Sequence, residues 1–230
     1  MEEFIVTVDG PAGSGKSTIA KIVAKKYDLT YLDTGAMYRM IALYSLENRV
    51  NLEDERSVAE MLENTKLDII GNQFFLNGKD VSAEIRTPEV SAVVSPVAAI
   101  KAVRVKLVEL QREISKGKRI ILDGRDIGTV VFPKAQVKIF LVASPEERAR
   151  RRLNEYKEKG IEEDYESVLN SIKERDHIDS TRKESPLKKA DDAIEIDSSK
   201  MSIDEVVEAI SNCIDTVSYT HLTLPTIRLV

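Results

Sequence analysis

The chain has 230 residues, 42% of them hydrophobic and 32% charged, which fits one globular α/β domain, with room for a small insert, and argues against disorder. Lys and Arg number 34 against 39 Asp and Glu, a formal net charge of −5, so the basic field that nonspecific nucleic-acid binding needs is absent and no nucleic-acid partner is expected. Cys213 is the single cysteine, which excludes an intrachain disulfide and fits a reducing compartment.

Met1 to Val8 carries two acidic residues and no long apolar run, so neither a signal peptide nor a membrane span is expected there, and the cytoplasm is the expected location. Phe4 to Val8 is a short β-rich run. Gly10-Pro11-Ala12-Gly13-Ser14-Gly15-Lys16-Ser17 then fits the phosphate-cradling pattern G-x-x-x-x-G-K-[ST], and Thr18, Ile19, Ile22 and Val23 continue into a helix. The spacing has a physical reason. Glycines let backbone N–H groups converge on phosphate oxygens, and the helix N-terminus adds partial positive charge. Lys16 is placed to reach the β- and γ-phosphates, and Ser17 to ligate Mg²⁺.

Tyr31-Leu32 predicts a second short strand ending at Asp33, followed by a helix marked by Met37, Met40, Ile41 and Tyr44. Leu67 to Arg86 breaks the alternation. Within it, Asn77-Gly78 between apolar residues predicts a type I′ hairpin, and hence a small antiparallel insert. Ile100, Val103, Leu107, Leu110 and Ile114 predict one helix over 96–116, with Ser95 as its N-cap and Pro96 in its first position. Ile120 to Leu122 and Val137 to Val142 are further strands, apolar throughout as buried parallel strands are. Asp123, closing the first of these, resembles a Walker B carboxylate that holds Mg²⁺ through water; Asp33 is the competing candidate.

Ser144 to Glu147 and Ser202 to Glu205 are capping boxes that open two more helices, with Ala193 to Ile196 as a short strand between them. Arg175, Asp179 and Arg182 share a face if one helix runs through all three, either as a ligand site or as a solvated ion-pair face. His177 beside them is expected at the surface, and Cys213 in the core with Val206, Ile210 and Ile214. From Val217 the helical pattern is lost and no acidic residue follows, so 217–230 is expected to be a non-native tail.

The guanine motif N-K-x-D is not present in working form: Asn77-Gly78-Lys79-Asp80 has its residues in the wrong order, inside a hairpin. A small-molecule kinase is the expected class; another P-loop kinase or a non-catalytic nucleotide-binding protein are the alternatives. The chain from about residue 4 to 214 resembles bacterial-type cytidylate kinase in GPAGSGKST, LDTGAMYR, FFLNGKDVSAEIRTPEVS, DGRDIGTVVFP and KERDHIDSTR. The resemblance implies an α/β P-loop NTPase fold, with five parallel strands flanked by helices in one domain over 1–216. It adds a small antiparallel β insert at about 63–95 and a LID at about 144–165, whose Arg148, Arg151 and Arg152 join residues 10–18 around ATP.

By the same resemblance the reaction is Mg²⁺-dependent transfer of the ATP γ-phosphoryl group to CMP or dCMP; separately from it, a monomer with no membrane partner is the expectation. Ser95, Arg104 and Asp126 are then expected to meet the cytosine ring, and Thr34, Arg39, Arg125 and Arg182 the CMP phosphate. Arg175 and Asp179 are expected to serve the sugar and the transferring phosphoryl group, and Lys16, Asp123, Arg125, Arg175 and Arg182 form the implied catalytic set. The family often has Ser at the place of Thr34; the hydroxyl is retained. A carboxylate at Asp126 suits the exocyclic amine of cytosine, which uracil lacks, so UMP is expected to be a poor substrate.

Overall fold

The structure, a computed structural model, describes residues 3–158 and 160–223, with the side chains of 218–223 left aside. Among the described residues, eight strands run in chain order: β1 (Phe4–Asp9), β2 (Thr30–Asp33), β3 (Leu67–Ile70), β4 (Gln73–Leu76), β5 (Lys79–Asp80), β6 (Arg119–Gly124), β7 (Val137–Val142) and β8 (Ile194–Asp197). The helices are α1 (Lys16–Lys26), α2 (Thr34–Glu47), α3 (Glu55–Glu63), α4 (Pro88–Ala99), α5 (Lys101–Ser115), α6 (Pro145–Glu158), α7 (Tyr165–Thr181) and α8 (Ile203–Thr223).

Five strands form one parallel sheet in the order β2-β6-β1-β7-β8. Successive side chains point to opposite faces, and both faces are covered, which explains the uninterrupted apolar runs. On β6, Ile121 joins Val6, Ile139, Leu141 and the buried side of α1 and α8, while Ile120 and Leu122 pack on the other side with Val108 and Ile127. Because the strands are parallel, Asp9, Asp33 and Asp123 all end at one edge of the sheet, where open α/β sheets bind their ligands.

The insert is the antiparallel sheet β3-β4-β5. Its hairpin turn has Asn77 at φ +52° and Gly78 at φ +82°, the pair of left-handed residues that a type I′ turn requires. The insert does not stand apart: Phe74, Leu76, Val81 and Ile85 share a core with Met37, Met40 and Ile41 of α2 and Val94 and Val97 of α4.

Three expectations need correction. The helix over 96–116 is two helices broken at Ile100, which is extended (φ −75°, ψ 121°). The first starts about two turns earlier than Ser95: Thr87 is its N-cap, accepting from the Val90 N–H at 3.4 Å, with Pro88 at the first position and Pro96 inside. Thr87-Pro88 thus takes the capping role read into Ser95-Pro96, and Ser95 is freed to point inward, where it is buried. Second, α7 stops at Thr181, one residue short of running through all three positions; Arg182 is its C-cap, but its helical φ of −57° and its N–H bond to the Ile178 carbonyl keep it on the side of Arg175 and Asp179. Third, α8 does not lose its helical form at Val217 but continues to Thr223; residues 224–230 of the expected tail lie outside those described. The capping box of Ser202 and Glu205 is reciprocal as expected, while in the Ser144 box only the Glu147 N–H to Ser144 bond forms, because the Glu147 carboxylate turns to Arg151.

Candidate active site

A cavity of about 690 Å³ opens at the strand ends, a size suited to small-molecule ligands. The P-loop forms one half of it. Gly10 leaves β1 against the backbone of β7: a Cβ there would lie 2.0 Å from the Leu141 carbonyl oxygen, so no other residue fits. Gly15 is the N-cap of α1 and, having no side chain, leaves the first-turn N–H groups of α1 uncapped toward the cavity. The Lys16 ammonium donates to the Pro11 carbonyl at 2.6 Å. Burial, and then the nearby Arg125, hold its pKa well below the usual lysine value.

Beside Lys16 lies an oxygen cluster. The Ser17 hydroxyl donates to Asp123 Oδ2 at 2.7 Å and the Tyr31 phenol to Oδ1 at 2.8 Å. Asp33 and Asp123 are register partners on adjacent strands. Burial, with the Asp33 charge second, pushes the Asp123 carboxyl up to about 6. Asp33 itself is committed: Oδ1 caps α2 at the Ala36 N–H (2.9 Å), and Oδ2 receives Arg86 at 2.7 Å. The arrangement favours Asp123 over Asp33 as the carboxylate available to a cation.

The other half of the cavity is lined by arginines brought from five places in the chain. Arg39 donates to the Ile85 carbonyl (3.1 Å) and the Ser91 hydroxyl (2.8 Å), and burial, followed by repulsion from Arg152 and Arg86, lowers it to about 10. Arg175 is lowered to about 9 by burial and then by Arg125 and Arg39; its Nε is buried without a partner. Asp179 accepts from Arg125 Nε and from the Ser95 hydroxyl, each at 2.9 Å. Burial alone would raise the Asp179 carboxyl, but Arg125 and Arg175 keep it below the ordinary range. Arg104 pairs directly with Asp126, both of them buried, and its guanidinium lies 5.4 Å from the Tyr38 ring centre. Arg182 approaches Asp126 and Asp179 at 3.9 Å each, and buried donors on Arg104 and Arg182 lack partners.

Most of the residues singled out in the sequence therefore line one cavity: Ala12 to Thr18 on one side, and Thr34, Arg39, Ser95, Arg104, Asp126 and the Arg125–Asp179 group on the other. Arg151 and Arg152 line it as well, but Arg148 does not. Arg148 is 3% exposed and its donors are taken: two bonds to Asp176 (2.6 and 3.0 Å), one to Ala143 O and one to Ala12 O. It pins α6 to α7 and to the P-loop backbone, which corrects its expected place at ATP. Gly10 and Pro11 shape the loop without lining the cavity. Sequence reasoning missed Arg86, Tyr31 and Tyr38. Arg86 sits in the quoted EIRTPEVS stretch, but nothing local signals that the insert turns it back onto Asp33.

The cytidylate kinase family model matches residues 6–216. The chain belongs to the cytidylate kinase family. The cytidylate kinase of Fusobacterium nucleatum is 60% identical over 217 residues, covering 94% of this chain and 100% of that protein. That of Carboxydothermus hydrogenoformans is 52% identical over 206 residues, covering 88% and 93%. Among solved structures, an uncharacterized protein from Eubacterium ventriosum aligns with a TM-score of 0.51 at 13% identity over 94% of this chain and 99% of that one, a likeness of fold alone. Family membership makes the chain a phosphotransferase, and the cavity just described brings its P-loop and its arginines face to face.

Proposed function

We propose that this cavity transfers the γ-phosphoryl group of ATP to CMP or dCMP, giving ADP and CDP or dCDP. The observation that carries the reading is electrostatic. Arg39 and Arg175 are held below their ordinary values by burial and by neighbouring arginines, so the arginine half lacks negative charge. A phosphate monoester, largely a dianion at pH 7, supplies it. The P-loop half supplies the second phosphate site, with Lys16 and the uncapped start of α1 facing the triphosphate.

In this reading Thr34, Arg39, Arg125 and Arg182 hold the acceptor phosphate, and Arg175 and Asp179 work at the sugar and the moving phosphoryl group. The acceptor oxygen is already anionic, so no general base is needed. Catalysis rests on alignment and on donors fixed before the charge arrives. Ser95, Arg104 and Asp126 read the base: the carboxylate accepts from the cytosine amine, and Arg104 donates to the ring carbonyl or N3. Arg151 and Arg152, on α6, close over ATP and exclude water as part of a LID at about 144–165, which packs on α7 through a small core of Ala149, Val168, Leu169 and Ile172. The donor set at Ser17 and Asp123 is all oxygen, which fits Mg²⁺. When bound, the ion neutralises charge on the β- and γ-phosphates; Ser17 and Asp123 are the residues that would hold it, the latter through water.

A cytoplasmic monomer, with a single kinase domain over 1–216 and a non-native 217–230, belongs to the same proposal. No helix among the described residues is long and apolar enough to cross a membrane. Deleting 217–230 is expected to leave activity and Tm unchanged, and a large loss of either defeats the assignment of that segment. The test of the reaction is an acceptor panel with Mg-ATP. ADP should form with CMP and dCMP, weakly with UMP, and not with AMP or without acceptor; ADP formation indifferent to CMP would reject the proposal.

A further inference from the structure

Asp9, the last residue of β1, is absent from the cavity wall and from every role above, yet it is buried at 5% exposure. Its two carboxylate oxygens accept from consecutive backbone N–H groups, Ile127 to Oδ1 at 2.8 Å and Gly128 to Oδ2 at 2.7 Å. These begin the short π-helical turn Ile127–Val131, whose N-cap residue is Asp126. An aspartate in that position ordinarily caps its own turn. Asp126 makes no such bond, because its carboxylate faces the cavity and pairs with Arg104. Asp9 takes over the capping from a neighbouring strand.

We propose that Asp9 is the positioning residue for nucleobase recognition: it caps the 127–131 turn in place of Asp126 and so leaves the Asp126 carboxylate free to meet the base. The inference rests on the reading of Asp126 as the base-reading carboxylate. Two further observations support it. Asp9 is followed directly by Gly10, whose close contact with Leu141 fixes the end of β1, so the cap ties the base-reading segment to the start of the P-loop. The group is also costly where it stands: burial raises its carboxyl to about 6 against the pull of both amide bonds, with the Asp126 charge adding to the rise and Lys16 opposing it. No apolar residue could satisfy two buried N–H groups there.

The test compares Asp9→Asn, Gly128→Ala and Asp126→Ala in acceptor kinetics with CMP and UMP. Asparagine keeps the shape but offers one acceptor oxygen and an NH₂ to two N–H groups, so one amide must seek Asp126 instead. The expected result is a loss of about tenfold in the ratio of kcat/KM for CMP over UMP, through KM for CMP, with KM for ATP within about twofold of wild type. Gly128→Ala keeps the carboxylate but brings a Cβ to 3.0 Å from Thr7 Oγ1 and to 3.3 Å from both Asp9 Oδ2 and Lys138 Cδ, and should shift the ratio in the same direction by less. It carries the test should Asp9→Asn not fold. A purely structural role would lower Tm and leave the CMP/UMP ratio at the wild-type value. That outcome, with Asp126→Ala losing the ratio in parallel, overturns the proposal alone; an unchanged ratio in Asp126→Ala overturns the base-reading assignment and the proposal with it.

Discussion

The P-loop half of the cavity is one continuous stretch, residues 12–18, whose cation is already bonded to the loop's own Pro11 carbonyl, whereas the acceptor half collects Arg39, Arg104, Arg125, Arg175 and Arg182 from separate elements and leaves several of their donors without partners. The first half is built by backbone geometry, with the uncapped N–H groups at the start of α1 open to the cavity. The second is a charge imbalance held in place by packing, and it is completed by a ligand. Binding energy in such a pocket comes from relieving repulsion as well as from the new hydrogen bonds.

The largest effect that sharpens this contrast belongs to the P-loop. Lys16→Met should lower kcat by about three orders of magnitude or more, as the loss of a fixed transition-state charge does, while Tm holds or rises because a desolvated ammonium has been removed. Near-normal turnover would break the assignment of donor and acceptor halves. On the acceptor side, Asp126→Ala should lose about 1–3 kcal/mol of preference for CMP over UMP, read from the two kcat/KM values. Retention of the preference would move base recognition elsewhere.

Asp9 gives an effect of intermediate size with a defined sign. Its folded-state carboxyl lies near 6 against an ordinary 3.8, so between those values the folded chain keeps a proton that the unfolded chain has lost. Ionisation at neutral pH therefore costs the fold, and that cost shrinks as pH falls. Denaturant unfolding should show wild-type stability rising relative to Asp9→Asn by about 1 kcal/mol between pH 7.5 and 5. A difference that is flat with pH would place the Asp9 carboxyl at an ordinary pKa. The smallest effect concerns the insert. Ser91→Ala removes one of the two partners that hold Arg39, and should raise KM for CMP a few-fold, about 1 kcal/mol, with KM for ATP unmoved. A change in KM for ATP instead would mean that the insert communicates with the P-loop.

The same contrast explains what could be read without coordinates. The P-loop is legible because its chemistry is local: glycine spacing, a lysine and a helix start suffice. The strands were legible because burial on both faces makes apolar runs, and the hairpin because Asn77-Gly78 has one favoured turn. The α4–α5 break at Ile100 was not, since residues at three- and four-residue steps keep a helical rhythm across it, and a second Pro preceded by a hydroxyl residue lies eight positions upstream. Arg148 shared its spacing with Arg151 and Arg152, and what turns it inward lies largely outside its own helix, the ion pair with Asp176 and the bond to the Ala12 carbonyl. Arg86 and Asp9 act across the fold through Asp33 and the 127–131 turn, so no sequence window contains both partners.

The central claim is that the arginine half waits for a phosphate. Titration calorimetry with CMP and with cytidine, which carries the same base and sugar without the dianion, tests it most directly. CMP should bind at least about a thousandfold more tightly, the worth of two or three charge-assisted contacts. Cytidine binding within a few-fold of CMP would show that the arginines do not hold the acceptor through its phosphate, and would contradict the account.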